Sequence, residues 1–276
     1  MHTQQRTLLS AGIITAGAAA AAFWWFMLRP EPVPALPDVP ATAAIPVPPG
    51  TAAAPPAPAA STPIELPVAT QPLAAGEVGS ALANFFGRKA ILTFFQLEDF
   101  PRKFVATVDN LGRSHAPPMA WPVNPTAGQF TVDERGGATV INADNSLRYT
   151  PLVLLAESID AGKAVDLYIR MYPVLQQTYV ELGYPKGQFN DRLIQVIDQL
   201  LATPGAAEAV KVQLTEVKGS VPSLRPWVRY EFSNPALESL SAGQKIMLRV
   251  GAVNQHRLKA RLVAVRQEIL QRAKPQ

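Results

Sequence analysis

The chain has 276 residues, no cysteine, and 25 Lys and Arg against 21 Asp and Glu. The missing cysteine excludes disulfides, thiol nucleophiles, thiolate metal sites and lipoprotein attachment through a cysteine. A formal net charge of +4 is modest, and without a basic cluster it points to no class of partner.

After a short N-terminal tail, residues 1–7, comes an uncharged stretch from Leu8 to Leu28, LLSAGIITAGAAAAAFWWFML. As a helix rising 1.5 Å per residue it spans about 30 Å, the thickness of a bilayer's hydrocarbon core. Phe23, Trp24, Trp25 and Phe26 close it with rings suited to a membrane interface. A cleaved signal peptide would use Ala18 to Ala22 as its small-residue site, yet the apolar run continues beyond it to Leu28. The stretch is therefore expected to be an uncleaved signal anchor that meets the lipid bilayer through residues 8–28. Arg6 and the amino terminus, with Glu31 and Asp38 beyond Arg29, favour the N-terminus inside and the bulk of the chain outside.

Residues 29–72 are read as a disordered linker, because Pro30 to Pro72 is built mostly from Pro, Ala, Val and Thr. Proline fixes φ and lacks a donor, so such chain favours extended polyproline II and cannot form a core. At about 3.1 Å per residue it reaches on the order of 130 Å, enough to hold a domain well away from a membrane.

The folded region is expected over residues 73–276, a mainly α, multi-helix domain with a small β-hairpin insertion. Ser80–Phe86 and Lys89–Gln96 read as short helices separated by Gly87. Asp99 is expected to cap the next helix, with Pro101 in its first turn and Gly112 at its end. Phe100, Phe104, Val108 and Leu111 mark its apolar face, and Arg102, Lys103, Asp109 and Asn110 its opposite side. Gln129–Val132 and Ala138–Ile141 flank Gly136–Gly137 as a hairpin, with Asp133 and Glu134 in a solvated turn.

A helix from Pro151 to Glu157 follows. A long one, about Ala161 to Leu182, is capped by Asp160, stopped by Gly183, and expected to kink at Pro173. Asn190 is expected to cap a helix that buries Leu193, Val196, Ile197, Leu200 and Leu201. Ala209–Lys218 leaves strand and helix both open. Asn234 caps Pro235–Leu240, and Ser241 with Gln244 has the spacing of a capping box for a helix to Val250. The last helix, about Val253 to Ala273, carries Leu258, Leu262, Val265 and Ile269 on one stripe between Arg257, Lys259, Arg261 and Arg266. Such a basic amphipathic helix packs on a core, lies on anionic lipid or binds a partner; core packing with outward-reaching arginines is expected.

The nucleotide-binding, zinc-protease and serine-hydrolase patterns are absent from the sequence. His2, His115 and His256 stand apart, and the pairs Glu98–Asp99 and Asp133–Glu134 lack metal-ligand spacing. No catalytic residue, metal site or cofactor is expected, and no nucleic-acid partner.

RKFVATVDNLGR (Arg102–Arg113), RYTPLV (Arg148–Val153), YIRMYPVLQQTYVELGYP (Tyr168–Pro185), FNDRLIQVIDQLLATP (Phe189–Pro204) and the closing YEF, LSAGQK and MLRVG segments carry a family resemblance. With them the chain resembles a bacterial membrane-anchored family catalogued as domain of unknown function three thousand and fourteen. The resemblance covers most of residues 80–262 in order. It implies a membrane span and proline-rich linker before the domain, and it carries no assigned activity.

Within these segments Arg102, Asp109, Asn110, Tyr230, Glu231, Gln244 and Lys245 are the candidate binding residues, able to converge on one groove. The competing reading is a salt-bridge network that ties helices together. The expected protein is a single-pass inner-membrane protein with a periplasmic C-terminal domain. That domain is expected to be a non-enzymatic adaptor or scaffold for another envelope protein, with anionic lipid or cell-wall glycan as further partners. The alternative is a hydrolase or binding protein acting on cell-wall glycan or lipid.

Overall fold

The computed structural model describes residues 63–205, 209–215 and 225–273. The expected anchor at 8–28 and most of the expected linker lie outside them; no helix among the described residues is long and apolar enough to cross a membrane.

Nine α-helices and four short strands make up the described part. They are α1 (Val78–Phe86), α2 (Arg88–Phe94), α3 (Phe100–Leu111), β1 (Val132–Arg135), β2 (Ala138–Ile141), α4 (Asn145–Ser158) and α5 (Ala161–Glu181). After them come α6 (Phe189–Leu201), β3 (Val212–Leu214), β4 (Tyr230–Phe232), α7 (Pro235–Glu238), α8 (Ala242–Arg249) and α9 (Ala252–Arg272). The mainly helical expectation holds, and the small-hairpin expectation is too small.

The core is a cluster of α3, α5, α6 and α9, because each presents apolar residues three or four apart. Val105, Val165, Leu175, Phe189, Val196 and Ile269 are buried there. α1 leans on α3, α8 closes the end of α3 and α6, and α4 lies along α9. The stripe read on α9 does face this core, through Leu262, Val265 and Ile269. Its cations reach outward to neighbouring elements: Arg257 to Glu157 at 3.7 Å, Arg266 to Asp198 at 2.6 Å, and Arg261 to the Ile159 carbonyl.

Several boundaries differ from the sequence reading. Residues 63–72, read as linker, are bound to the domain: the Ile64 amide donates to Asp191 Oδ1 at 2.8 Å, Arg170 Nε donates to the Gln71 carbonyl, and Leu66 is buried. Isolated apolar residues among prolines suffice to dock a chain whose amides find acceptors. Asp99 precedes α3 with φ 50°, in the left-handed region, and its side chain makes no cap hydrogen bond. Asn190 lies inside α6, behind Gln188; its side chain is buried and bonded to Tyr168 and the Ile64 carbonyl instead of capping.

α4 begins six residues before Pro151 and runs through it. Pro151 and Leu147 are both exposed, so the Leu147 carbonyl that a proline cannot bond faces water rather than the core. The first hairpin strand is Val132–Arg135 rather than Gln129–Val132, which places Asp133 and Glu134 in β1 and not in a turn. Gly136 and Gly137 have φ 57° and 74°, the pair that a two-residue hairpin turn requires, and this turn pairs Arg135 with Ala138. β3 pairs antiparallel with β4, a second small sheet, and a bridge between Val140 and Lys211 joins the two.

The short caps behave as read. Asp160 Oδ1 accepts from the Lys163 amide, Asn234 Oδ1 from the Ala236 amide, and Ser241 and Gln244 bond reciprocally.

Candidate functional site

The seven candidate residues fall into separate places. Arg102 is exposed on α3. Asp109, expected on the polar side of α3, is buried. Its Oδ1 accepts from Arg192 Nε at 2.9 Å and its Oδ2 from Arg113 Nε at 3.0 Å and the Tyr184 hydroxyl at 2.9 Å. Arg192 also donates to the Asp109 carbonyl, and Arg113 to the Tyr184 hydroxyl. This is the salt-bridge network, and it joins α3, the turn after α5, and α6. Asn110 is half-buried beside it, its carbonyl accepting the Arg113 amide.

Glu231 accepts from Gln213 across β3 and β4, at the surface. Gln244 is spent on its cap. Lys245 donates to Glu238 Oε1 at 2.8 Å, and Glu238 Oε2 accepts the Phe232 amide. Burial pushes the Glu238 carboxyl up, but these two hydrogen bonds and the charges of Lys245 and Arg249 outweigh it, so Glu238 titrates below the usual carboxylate range. Tyr230 packs its ring 5.7 Å from that of Phe130, and its carbonyl accepts from Arg249 Nη2 at 3.0 Å.

Arg249 is the residue that the sequence reading missed. It sits at the end of α8 with its guanidinium 4.8 Å from the Phe232 ring centre, and burial pushes its pKa down against the opposing charges of Glu238 and Tyr149. The available signal was one arginine within the otherwise apolar run Ile246–Val250. Arg249 lines a cleft of about 190 Å³ together with Ile141, Asn142, Asn145, Ser146 and Leu248. Gly251 lies on its wall with φ 85°, and a Cβ there would come within 2.8 Å of Ser146 Cβ, so glycine permits α9 to start against α4.

Next to this cleft, α4 presents Leu147, Pro151 and Leu154, spaced as one helix face and all exposed. Leu147 is 65% exposed and Leu154 49%, in contrast with Val153 on the packed side.

The tyrosines in and against the core set an alkaline limit. Tyr168 donates to Asn190 Oδ1 at 2.6 Å, and burial holds its pKa well above the ordinary value. Burial, followed by the charge of Asp191, pushes Tyr172 up to about 12; burial, followed by the charge of Asp109, does the same for Tyr179. A phenol whose folded pKa exceeds its unfolded value of 10.0 binds its proton more tightly when folded. Its stabilising contribution is complete below pH 10 and disappears as pH climbs toward 12. The urea midpoint of the protein is therefore expected to fall across that window, and a flat midpoint there would contradict the burial of these rings.

Among the described residues no group of three or more His, Asp or Glu side chains is placed to hold a metal ion. Residues 100–266, which include α3, the cleft and the α4 face, match a family model described as "Protein of unknown function (DUF3014)". No curated protein and no solved structure matches the chain.

Proposed function

The chain belongs to the DUF3014 family of proteins of unknown function, and we propose that its helical domain is a non-enzymatic adaptor that binds another protein of a bacterial envelope. The observation that carries this reading is the bare apolar face of α4. Leu147, Pro151 and Leu154 form a continuous stripe on a helix whose other side is packed, and apolar side chains grouped in this way mark protein contacts more often than single exposed leucines do. The uncharged stretch 8–28 supports a single-pass inner-membrane anchor, and the proline-rich chain after it supports a domain held in the periplasm at a distance from the bilayer.

Two experiments test the two halves. A photo-crosslinking amino acid at Leu154 of the full-length protein, in its own membrane, is expected to yield a discrete protein adduct that Leu147→Glu abolishes. A crosslinker at exposed Lys186 serves as control, and equal yields at both positions would remove α4 as the binding face. An alkaline-phosphatase fusion after Leu73 is expected to be active; an inactive fusion reverses the topology.

A further inference from the structure

We propose that the cleft beside α4 receives a carboxylate from an acidic peptide segment of the bound protein, with Arg249 as its cationic anchor. This rests on the reading of α4 as a protein-binding face and names the chemistry of what covers it.

Among the described residues, Arg249 leaves guanidinium donors unspent. A guanidinium carries five N–H donors and stays charged, so taking it out of water requires acceptors and, at best, a counter-charge. Other half-buried arginines of this domain spend their donors within the fold. Arg192 holds Asp109, and Arg148 donates to the carbonyls of Ala127 and Gly128, to Thr126 Oγ1 and to Asn145 Oδ1. Among the described residues Arg249 donates to a single carbonyl, that of Tyr230, and it rests on the Phe232 ring. Among the described residues no carboxylate stands at ion-pair distance from it. The nearby Glu238 is committed to Lys245 and the Phe232 amide, and Asp133 to Asn142 and Arg135.

The cleft itself is accommodating. Ile141, Val210 and Leu248 supply apolar walls, and the Ser146 side chain a hydroxyl. Ala252 and Val253 line it as well, in the first turn of α9, where helix amides have no carbonyl partner within the helix. Asp144 is exposed between the lining residues Ala143 and Asn145, and it opposes a dense anionic charge. A single carboxylate flanked by apolar residues therefore fits better than a phosphate-rich strand. Ser146 of the cleft and Leu147 of the stripe are consecutive on α4, so one peptide segment is able to engage both.

A random-peptide display library selected on the full-length protein in lipid nanodiscs tests this. Selected peptides are expected to place Asp, Glu or a free C-terminal carboxylate beside apolar residues. Replacing that acid by its amide in a synthetic copy is expected to weaken binding about tenfold or more, as for a charge-assisted hydrogen bond. Arg249→Gln is expected to erase the difference between acid and amide, and Arg249→Lys to retain part of it. Because Arg249 also packs on Phe232, Val253→Glu provides a second variant. Val253 is 66% exposed, so this change leaves the fold intact by thermal melting while opposing an incoming carboxylate. An acid preference that survives Arg249→Gln would overturn the proposal. Acid-independent peptides lost with Leu147→Glu would overturn the cleft while leaving α4 as a protein-binding face, and selection of no peptide at all would overturn both.

Discussion

Asp109→Ala is expected to destabilise the domain by about 3–5 kcal/mol, read from urea unfolding as a lower midpoint at unchanged slope. The carboxylate is the common acceptor of Arg192, Arg113 and Tyr184, and the side chains of Asp109 and Arg192 are only 11% and 16% exposed. Removing it leaves the Arg192 guanidinium sheltered from water with its charge uncompensated, and that residual charge, more than the lost attraction, sets the cost. A double-mutant cycle separates the two: Asp109→Ala with Arg192→Leu is expected to cost less than the sum of the single changes. Strict additivity would show that the pair is not coupled.

Phe189→Ala is expected to cost a similar amount, about 3–5 kcal/mol, for a different reason. The ring is fully buried at the start of α6, with the rings of Phe104 and Tyr179 centred 6.1 and 5.6 Å away. Three helices meet around it, so the neighbours cannot collapse into the vacated space without moving backbone, and most of the cavity remains. Phe189→Leu, which refills much of that volume, is expected to recover a large part of the loss; equal destabilisation by both would point to a specific aromatic requirement. Neither change touches the α4 face or the Arg249 cleft. Each therefore lowers stability without altering which partner is recognised once the protein is folded.

The candidate site was partly legible in sequence. Arg102, Asp109, Asn110, Tyr230, Glu231, Gln244 and Lys245 are polar residues of the segments that also carry the family resemblance. Asp109 was the informative member, yet its chief partner, Arg192, is 83 residues away, and helical periodicity alone assigned it to the wet side of α3. Lys245 and Tyr230 do border Arg249, one through Glu238 and the other through its carbonyl. Arg249 gives only a weak signal in sequence, because an arginine near a helix end is ordinarily a favourable and solvated feature.

The α4 face shows a related limit. The sequence reading starts this helix at Pro151, a residue that a helix's first turn tolerates. In the fold it is a mid-helix residue, permissible because its ring and the unbonded Leu147 carbonyl face away from the core. Sequence cannot say which side of an unplaced helix will face water, so an exposed apolar stripe looks the same as a buried one until the helix has neighbours.

Local rules were enough for much of the rest. The Ser241–Gln244 cap, the Asp160 and Asn234 caps, the Gly136–Gly137 turn and the spans of α5 and α9 depend on residues within a few positions of one another, so their physics is complete in a short window of chain. The docking of residues 63–72, the β3–β4 pairing across sequence-distant strands, the burial of Asp109 and Asn190, and the exposure of Leu147 and Leu154 had to await the assembled domain. Each depends on which distant surfaces meet, and that is decided by the summed burial of the α3, α5, α6 and α9 faces rather than by any one segment's preference.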